Sequence, residues 1–185
     1  MRYCPSCGGD LELRQPPGED RDRHVCADCG TIHYQNPKVV VGSVCTLGSR
    51  ILICRRAIEP RRGFWTLPAG FLELGETAEE GALREAWEEA RARIEIEGLI
   101  AVYSVPRIGQ VQLLYRARLL DAAVEPGPES LEVRLVGWDE VPWADLAFPT
   151  VHWVLERARE LRAATPPFET VFNPEGETAS ATATL

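Results

Sequence analysis

Residues 70–92, GFLELGETAEEGALREAWEEARA, carry seven glutamates against two arginines. On an ordinary solvated helix face the signs are mixed, so that residues four apart attract one another. At about 100° per residue, Glu85, Glu88 and Glu89 share one side of a helix, and three carboxylates so placed repel unless a cation sits among them. Hard divalent ions such as Mg²⁺ or Mn²⁺ take oxygen ligands, keep several waters and bridge to phosphate oxygens. Such a site would polarise a phosphate and activate water for attack on phosphorus. The alternative is a charged, solvated helix with no ligand.

A second constellation is Cys4-Pro-Ser-Cys7 and Cys26-Ala-Asp-Cys29, two CxxC pairs eighteen residues apart. This spacing reads as a four-thiolate Zn²⁺ site in a zinc ribbon. Two redox pairs are the alternative, but neither pair follows a strand and opens a helix as redox motifs do. So small a module needs its metal to fold. His24 and His33 flank the second pair, yet four cysteines already complete a tetrahedral shell. Cys45 and Cys54 have apolar neighbours and are expected in the core.

The elements that must hold these groups follow from periodicity and punctuation. Thr77 with Glu80 is a capping box, which places a helix start there. Ala82, Leu83, Ala86, Trp87 and Ala90 span an arc of about 140°, so they are expected to face the core, with the three glutamates on the opposite side. VVVGSVCTL and RILICRR, separated by Gly48-Ser49, predict a hairpin, and FWTLPAG a short strand closed by a Pro/Gly turn. RIEIEGLIAVYSVP and QVQLLYRARLL predict longer strands meeting at residues 106–109. EPGPES reads as a loop, LEVRLVGW as a strand and TVHWVLERARELRA as an amphipathic helix. Mixed strands with two helices make the class α/β or α+β. The expected division is a metal module over 1–36, a main domain over 37–164 and a flexible tail over 165–185.

With 45% hydrophobic and 26% charged residues, the 185-residue chain has the composition of a soluble globular protein. Its formal charge of −8 argues against a broad grip on nucleic acid or anionic lipid. Phosphate-bearing small molecules remain compatible, because a bound cation inverts the local field. No run approaches the ~18 apolar residues that span a bilayer, and the first residues lack the apolar core of a signal peptide. A cytoplasmic protein is expected, in which the cysteines are not disulfides.

The full spacing around the glutamates is Gly70, five residues, Glu76, seven residues, Arg84-Glu85, Ala86, one residue, then Glu88-Glu89. It reproduces the Nudix box, and residues 38 to about 145 resemble the Nudix hydrolases. One position departs: Arg91 stands where the family has glycine. A left-handed helix end costs a non-glycine residue about 1 kcal/mol, so a different helix exit is expected. The resemblance implies a loop-helix-loop on an α/β/α sandwich with a mixed sheet. It implies Glu85, Glu88 and Glu89 as Mg²⁺ or Mn²⁺ ligands, joined by the carbonyl of Ala69 or Gly70. Arg84 would orient the glutamates by ion pairing, and Glu76 would be an outer acid. Glu132 matches the late glutamate that binds metal or activates water, with Glu88 the other candidate base.

The pairing of ribbon and box resembles the NADH pyrophosphatases, whose Ser-Gln-Pro-Trp-Pro-Phe-Pro run is absent here. SVPRIGQVQLLYRARL stands in its place and resembles the plant plastid FAD pyrophosphatases and their bacterial relatives. The implied reaction is hydrolysis of a nucleoside diphosphate linked to a second group: FAD to FMN and AMP, ADP-ribose, or alternatively NADH. Arg107, Gln110 and Glu129 are the candidate substrate contacts, although Arg107 also suits a solvated loop. The implied partner is a small nucleotide, with neither nucleic acid nor membrane, and the resemblance implies a homodimer. Two other classes compete: a Nudix domain that senses a nucleotide, and an RNA-binding or decapping module, against which the acidic balance counts.

Overall fold

The computed structural model describes residues 1–177; the last part of the expected tail, 178–185, lies outside them. The chain packs as two units, Met1–Asn36 and Pro37–Leu185. In the first, β1 (Leu11–Arg14), β2 (Arg23–Cys26) and β3 (Ile32–His33) form an antiparallel three-stranded sheet. Tight turns return each CxxC segment on itself, with Gly8 N–H donating to Cys4 O at 2.9 Å and Gly30 N–H to Cys26 O at 3.1 Å.

The second unit runs β4 (Lys38–Leu47), β5 (Arg50–Arg56), β6 (Trp65–Thr66), β7 (Ala69–Phe71), α1 (Ala78–Ala90), β8 (Ile94–Val105), β9 (Gln110–Leu119), β10 (Ser130–Gly137) and α2 (Pro149–Glu160). The sheet order is β10-β5-β4-β9-β8, with β6 added to β5 and β7 to β4. β4 and β9 are parallel and the other pairings of this sheet are antiparallel, so the sheet is mixed. Alternation along β5 separates two layers. Ile51 and Ile53 join Val151, Val154 and Leu155 of α2, whereas Leu52 and Cys54 join Ala86 and Ala90 of α1. Helices therefore cover both faces, as an α/β/α sandwich requires.

Helix α1 starts at the expected capping box: Thr77 Oγ1 accepts from Glu80 N–H at 3.2 Å and Glu80 Oε2 accepts from Thr77 N–H at 2.7 Å. Its buried face differs from expectation. Gly81, Ala82, Glu85, Ala86, Glu89 and Ala90 are buried, while Leu83 is 38% and Trp87 49% exposed. The buried arc is turned by about 80° from the one hydrophobicity selects. Glycine and alanine let the helix lie close on β4 and β7, and that approach carries Glu85 and Glu89 inward, leaving the bulky Leu83 and Trp87 outside. The helix exit also departs from expectation, because Arg91 adopts the left-handed conformation itself (φ 52°), its N–H donating to the carbonyls of Ala86 and Trp87. Its guanidinium stacks over the Trp87 ring at 5.6 Å.

The tail expected from residue 165 is ordered over its described part. Val171 pairs with the edge strand β8, its N–H donating to Ile100 O at 3.1 Å and its O accepting from Val102 N–H at 2.9 Å. The Asn173 side chain accepts from Ser104 N–H at 2.7 Å and donates to Ser104 O at 2.9 Å, standing in for a strand residue. Phe168 packs on the α2-side core beneath the Arg116 guanidinium, 4.7 Å from the ring. Composition suggested flexibility, but an open sheet edge offered this segment backbone partners.

Candidate functional site

The Sγ atoms of Cys4, Cys7, Cys26 and Cys29 all lie within 4.8 Å of one another, with Cys4–Cys29 at 3.8 Å and Cys7–Cys26 at 3.4 Å. A tetrahedral zinc with ~2.3 Å bonds to sulfur needs sulfurs roughly 3.8 Å apart, so the four residues fit that ion. His33 Nε2 lies 3.3 Å from Cys4 Sγ, beside the cluster.

In the second unit α1 brings the carboxylates against β7. Gly70 faces them, and a Cβ at this position would collide with the Glu85 carboxylate. Glu85 is 8% and Glu89 6% exposed, while Glu88 projects to solvent. One Glu89 oxygen, Oε2, is buried without a hydrogen-bond partner among the described residues. Burial and then the neighbouring Glu85 raise the Glu89 carboxyl from its ordinary 4.5 to about 8, although the charge of Arg56 and the Ala69 amide pull it back. Burial raises Glu85 too, against the pull of Arg84. Two buried carboxyls, one with an orphan oxygen, are what a cation would relieve. The donor set is all oxygen and suits a hard divalent ion.

Arg84 organises this cluster. Its Nε and Nη2 bind Glu76 as a fork, at 3.0 and 2.8 Å, and hold that carboxyl down at about 2. Nη1 donates to Glu85 at 2.7 Å and Glu88 at 3.1 Å, and Nη2 also donates to Phe71 O at 3.0 Å. All five guanidinium donors are thus used within the protein, which leaves none for a ligand.

The late glutamate near the cluster is Glu129. Its charge raises both Glu85 and Glu89, and it is exposed, so it borders the site from the solvent side. The loop before β10 holds it in place: Glu125 N–H donates to Ala90 O and Gly127 N–H to Glu89 O, both at 2.9 Å, and Ala57 N–H donates to Glu129 O at 2.8 Å. Gly127 lies against the Glu88 carbonyl so closely that a Cβ would overlap it. Glu132, expected in this role, is instead held by Arg134 at 2.5 Å and by Arg55 at 4.0 Å. A β-bulge between Ser130 and Glu132 shifts the strand register at this point.

Arg107 is exposed on the short turn after β8, and Gln110 opens β9 opposite Lys38. Gly70 pairs with Val41, three residues further along β4, so Gln110 is roughly 10 Å from that point. The structure brings neither into contact with the carboxylates. Sequence reasoning missed Arg56, whose charge reaches Glu89 from the end of β5. Its guanidinium is fixed by Nε donation to Pro60 O at 2.9 Å and lies 5.2 Å from the Phe148 ring centre. The available signal was four arginines in eight positions, Arg55, Arg56, Arg61 and Arg62.

Two family models match the chain: one described as Nudix N-terminal over residues 2–35, and the NUDIX domain over residues 36–156. The chain belongs to the Nudix hydrolase family. It is 52% identical to a NUDIX hydrolase of Nitrosomonas europaea of known structure, covering 94% of this chain and 99% of that one, with a TM-score of 0.88. It is 28% identical over 113 residues to an ADP-ribose pyrophosphatase of Methanocaldococcus jannaschii, spanning 59% of this chain and 67% of that protein. It is 31% identical over 135 residues to the NAD-capped RNA hydrolase NudC of Stutzerimonas stutzeri, spanning 71% of this chain and 46% of that protein. The matches thus span about half of that NudC and two thirds of the archaeal protein. Among the described residues no helix is long and apolar enough to cross a membrane.

Proposed function

We propose that the chain hydrolyses the diphosphate bond of a nucleoside diphosphate linked to a second group, with ADP-ribose or FAD the first substrates to test. The observation that carries this reading is the buried pair Glu85 and Glu89, packed over Gly70, with an unpartnered oxygen on Glu89. Glu85, Glu89 and the solvent-facing Glu88, with the Ala69 or Gly70 carbonyl, would hold Mg²⁺ or Mn²⁺. Cations bound there would draw charge from the diphosphate and acidify the attacking water. The four cysteines would hold zinc in a structural role.

The chain's own groups then divide the work. Arg84 fixes the carboxylates and touches no substrate. Glu129, exposed and anchored by its backbone, takes the proton from the water as its oxygen attacks one phosphorus. The P–O bond to the bridging oxygen breaks, releasing AMP and the phosphorylated second group. Arg56, held by Pro60 and Phe148, offers its free Nη groups to a phosphate oxygen. ADP-ribose is favoured by the name of the archaeal relative, and FAD by the run SVPRIGQVQLLYRARL.

A second reading, the NAD end of a capped RNA, rests on the similarity to NudC over 71% of the chain. The same bond would be cleaved, and the charge of −8 works against RNA as the larger partner. The test is product analysis in Mg²⁺ and Mn²⁺ with FAD, ADP-ribose, NADH, NAD-capped RNA and nucleoside triphosphates. AMP with a second phosphomonoester from a diphosphate-linked compound is expected. Absence of turnover for every compound, with zinc bound, would remove the reading.

A further inference from the structure

Most arginines of this chain are neutralised by carboxylates, among them Arg23, Arg84, Arg93, Arg116, Arg118 and Arg157. The segment joining β5 to β6 is different. Arg56, Arg61 and Arg62 form no ion pair within 4.0 Å among the described residues. In a chain of net charge −8, the run from Arg56 to Arg62 holds three arginines without an ion pair against the single acid Glu59, which leaves it locally positive.

These arginines belong to a closed, anchored loop. Arg56 N–H donates to Phe64 O and Gly63 N–H to Arg56 O, both at 2.9 Å, while Phe64 N–H donates to Arg61 O at 3.1 Å. Arg61 has φ 65°, a left-handed conformation unfavourable for a side chain-bearing residue. It is half-buried, and its guanidinium lies 5.1 Å from the Phe64 ring centre. Two aromatic rings thus hold two guanidinium groups in place, which lowers the entropy of ordering them around a ligand. Pro60, whose carbonyl binds Arg56, directly precedes Arg61. Arg56, whose charge acts on Glu89, thus shares one closed loop with Arg61 and Arg62. The same loop donates Ala57 N–H to the backbone carbonyl of Glu129, which ties it to the segment before β10.

We propose that Arg61 and Arg62 form an anion subsite that selects substrates carrying one phosphate more than the diphosphate being cleaved. The inference rests on the hydrolase reading above and narrows its substrate class. The extra phosphate has two chemical sources, a monoester on a ribose hydroxyl or a third phosphate in the bridging chain. Both present the dianionic or monoanionic oxygens that guanidinium groups bind as a fork.

The experiment compares kcat/KM within two substrate pairs, ADP-ribose with 2′-phospho-ADP-ribose and diadenosine diphosphate with diadenosine triphosphate. The expected result is a preference of about five- to ten-fold for the more phosphorylated member of one pair, seen mainly in KM, since exposed charge pairs are partly screened. Which pair shows it identifies the source. Raising the ionic strength should shrink the ratio. In Arg61→Gly/Arg62→Ala the ratio should fall towards one. Glycine accepts the positive φ at position 61, and an unchanged melting temperature shows that the loop survives. Equal kcat/KM within both pairs, or a preference that persists in the double variant, overturns the proposal. Turnover of neither member of either pair counts against the hydrolase reading instead. Calorimetric binding of ADP-ribose and its 2′-phosphate, and of the two diadenosine compounds, then decides the subsite, equal Kd within both pairs overturning it.

Discussion

Replacing Glu89 with glutamine separates what its charge costs the fold from what it does in the reaction. Burial and Glu85 raise this carboxyl from 4.5 to about 8. An acid whose folded-state pKa lies above its unfolded value stabilises the fold as the neutral form. That contribution is intact below about 4.5 and is lost as pH rises through about 8. At ~1.4 kcal/mol per unit the full loss would approach 5 kcal/mol, and relaxation with water entry reduces it to about 2–4 kcal/mol. Glutamine cannot ionise, so Glu89→Gln should lack this decline. All five tryptophans lie in the second unit, so their fluorescence during urea unfolding reports that unit. With zinc-loaded, magnesium-free protein, the stability of the variant relative to the parent should grow by about 2–4 kcal/mol between pH 5 and 9. Magnesium at pH 9 should restore the parent and leave the variant unmoved, and the variant should not turn over substrate. Parallel pH profiles for the two proteins would refute the account of Glu89.

Gly127→Ala places a methyl group against the Glu88 carbonyl and displaces the loop that carries Glu129. A loss of about 2–3 kcal/mol in urea unfolding, together with reduced kcat, is expected, and unchanged stability would contradict the close approach. Arg84→Lys keeps a charge but not the fork that spans Glu76, Glu85 and Glu88. Its kcat should fall roughly 10- to 100-fold with a small change in KM, whereas a KM effect alone would make Arg84 a substrate ligand. Removing residues 165–185 uncovers the β8 edge and the core beneath Phe168. The shortened protein should melt earlier and self-associate in light scattering, and a monodisperse protein with the parental melting temperature would show that the edge needs no cover.

The grouping of the four cysteines and of the helix glutamates was legible in the sequence, because residue type and spacing together mark both. Four cysteines in two CxxC turns, or glutamates one helical turn apart after a capping box, leave few other uses for those residues. The orientation of α1 was not legible. A hydrophobicity count ranks Leu83 and Trp87 above Glu85 and Glu89, but the helix is turned by which residues are small enough to approach β7. Gly70 admits the Glu85 carboxylate, and the alanines of α1 admit the sheet. Glu132 was the late glutamate that the resemblance selected, whereas the structure sets Glu129 nearer the buried carboxylates. The position of Glu129 depends on Gly127 docking on the last turn of α1, which no pattern of residue types announces. Arg56 is a third case, since its influence on Glu89 arises from strand β5 ending near a helix that begins twenty-two residues later in the sequence. At each of these points, a glycine or a strand end sets a backbone approach, and that approach decides which charged side chain reaches the site. Those residues carry no chemistry themselves, so a search for reactive groups passes over the positions that select among them.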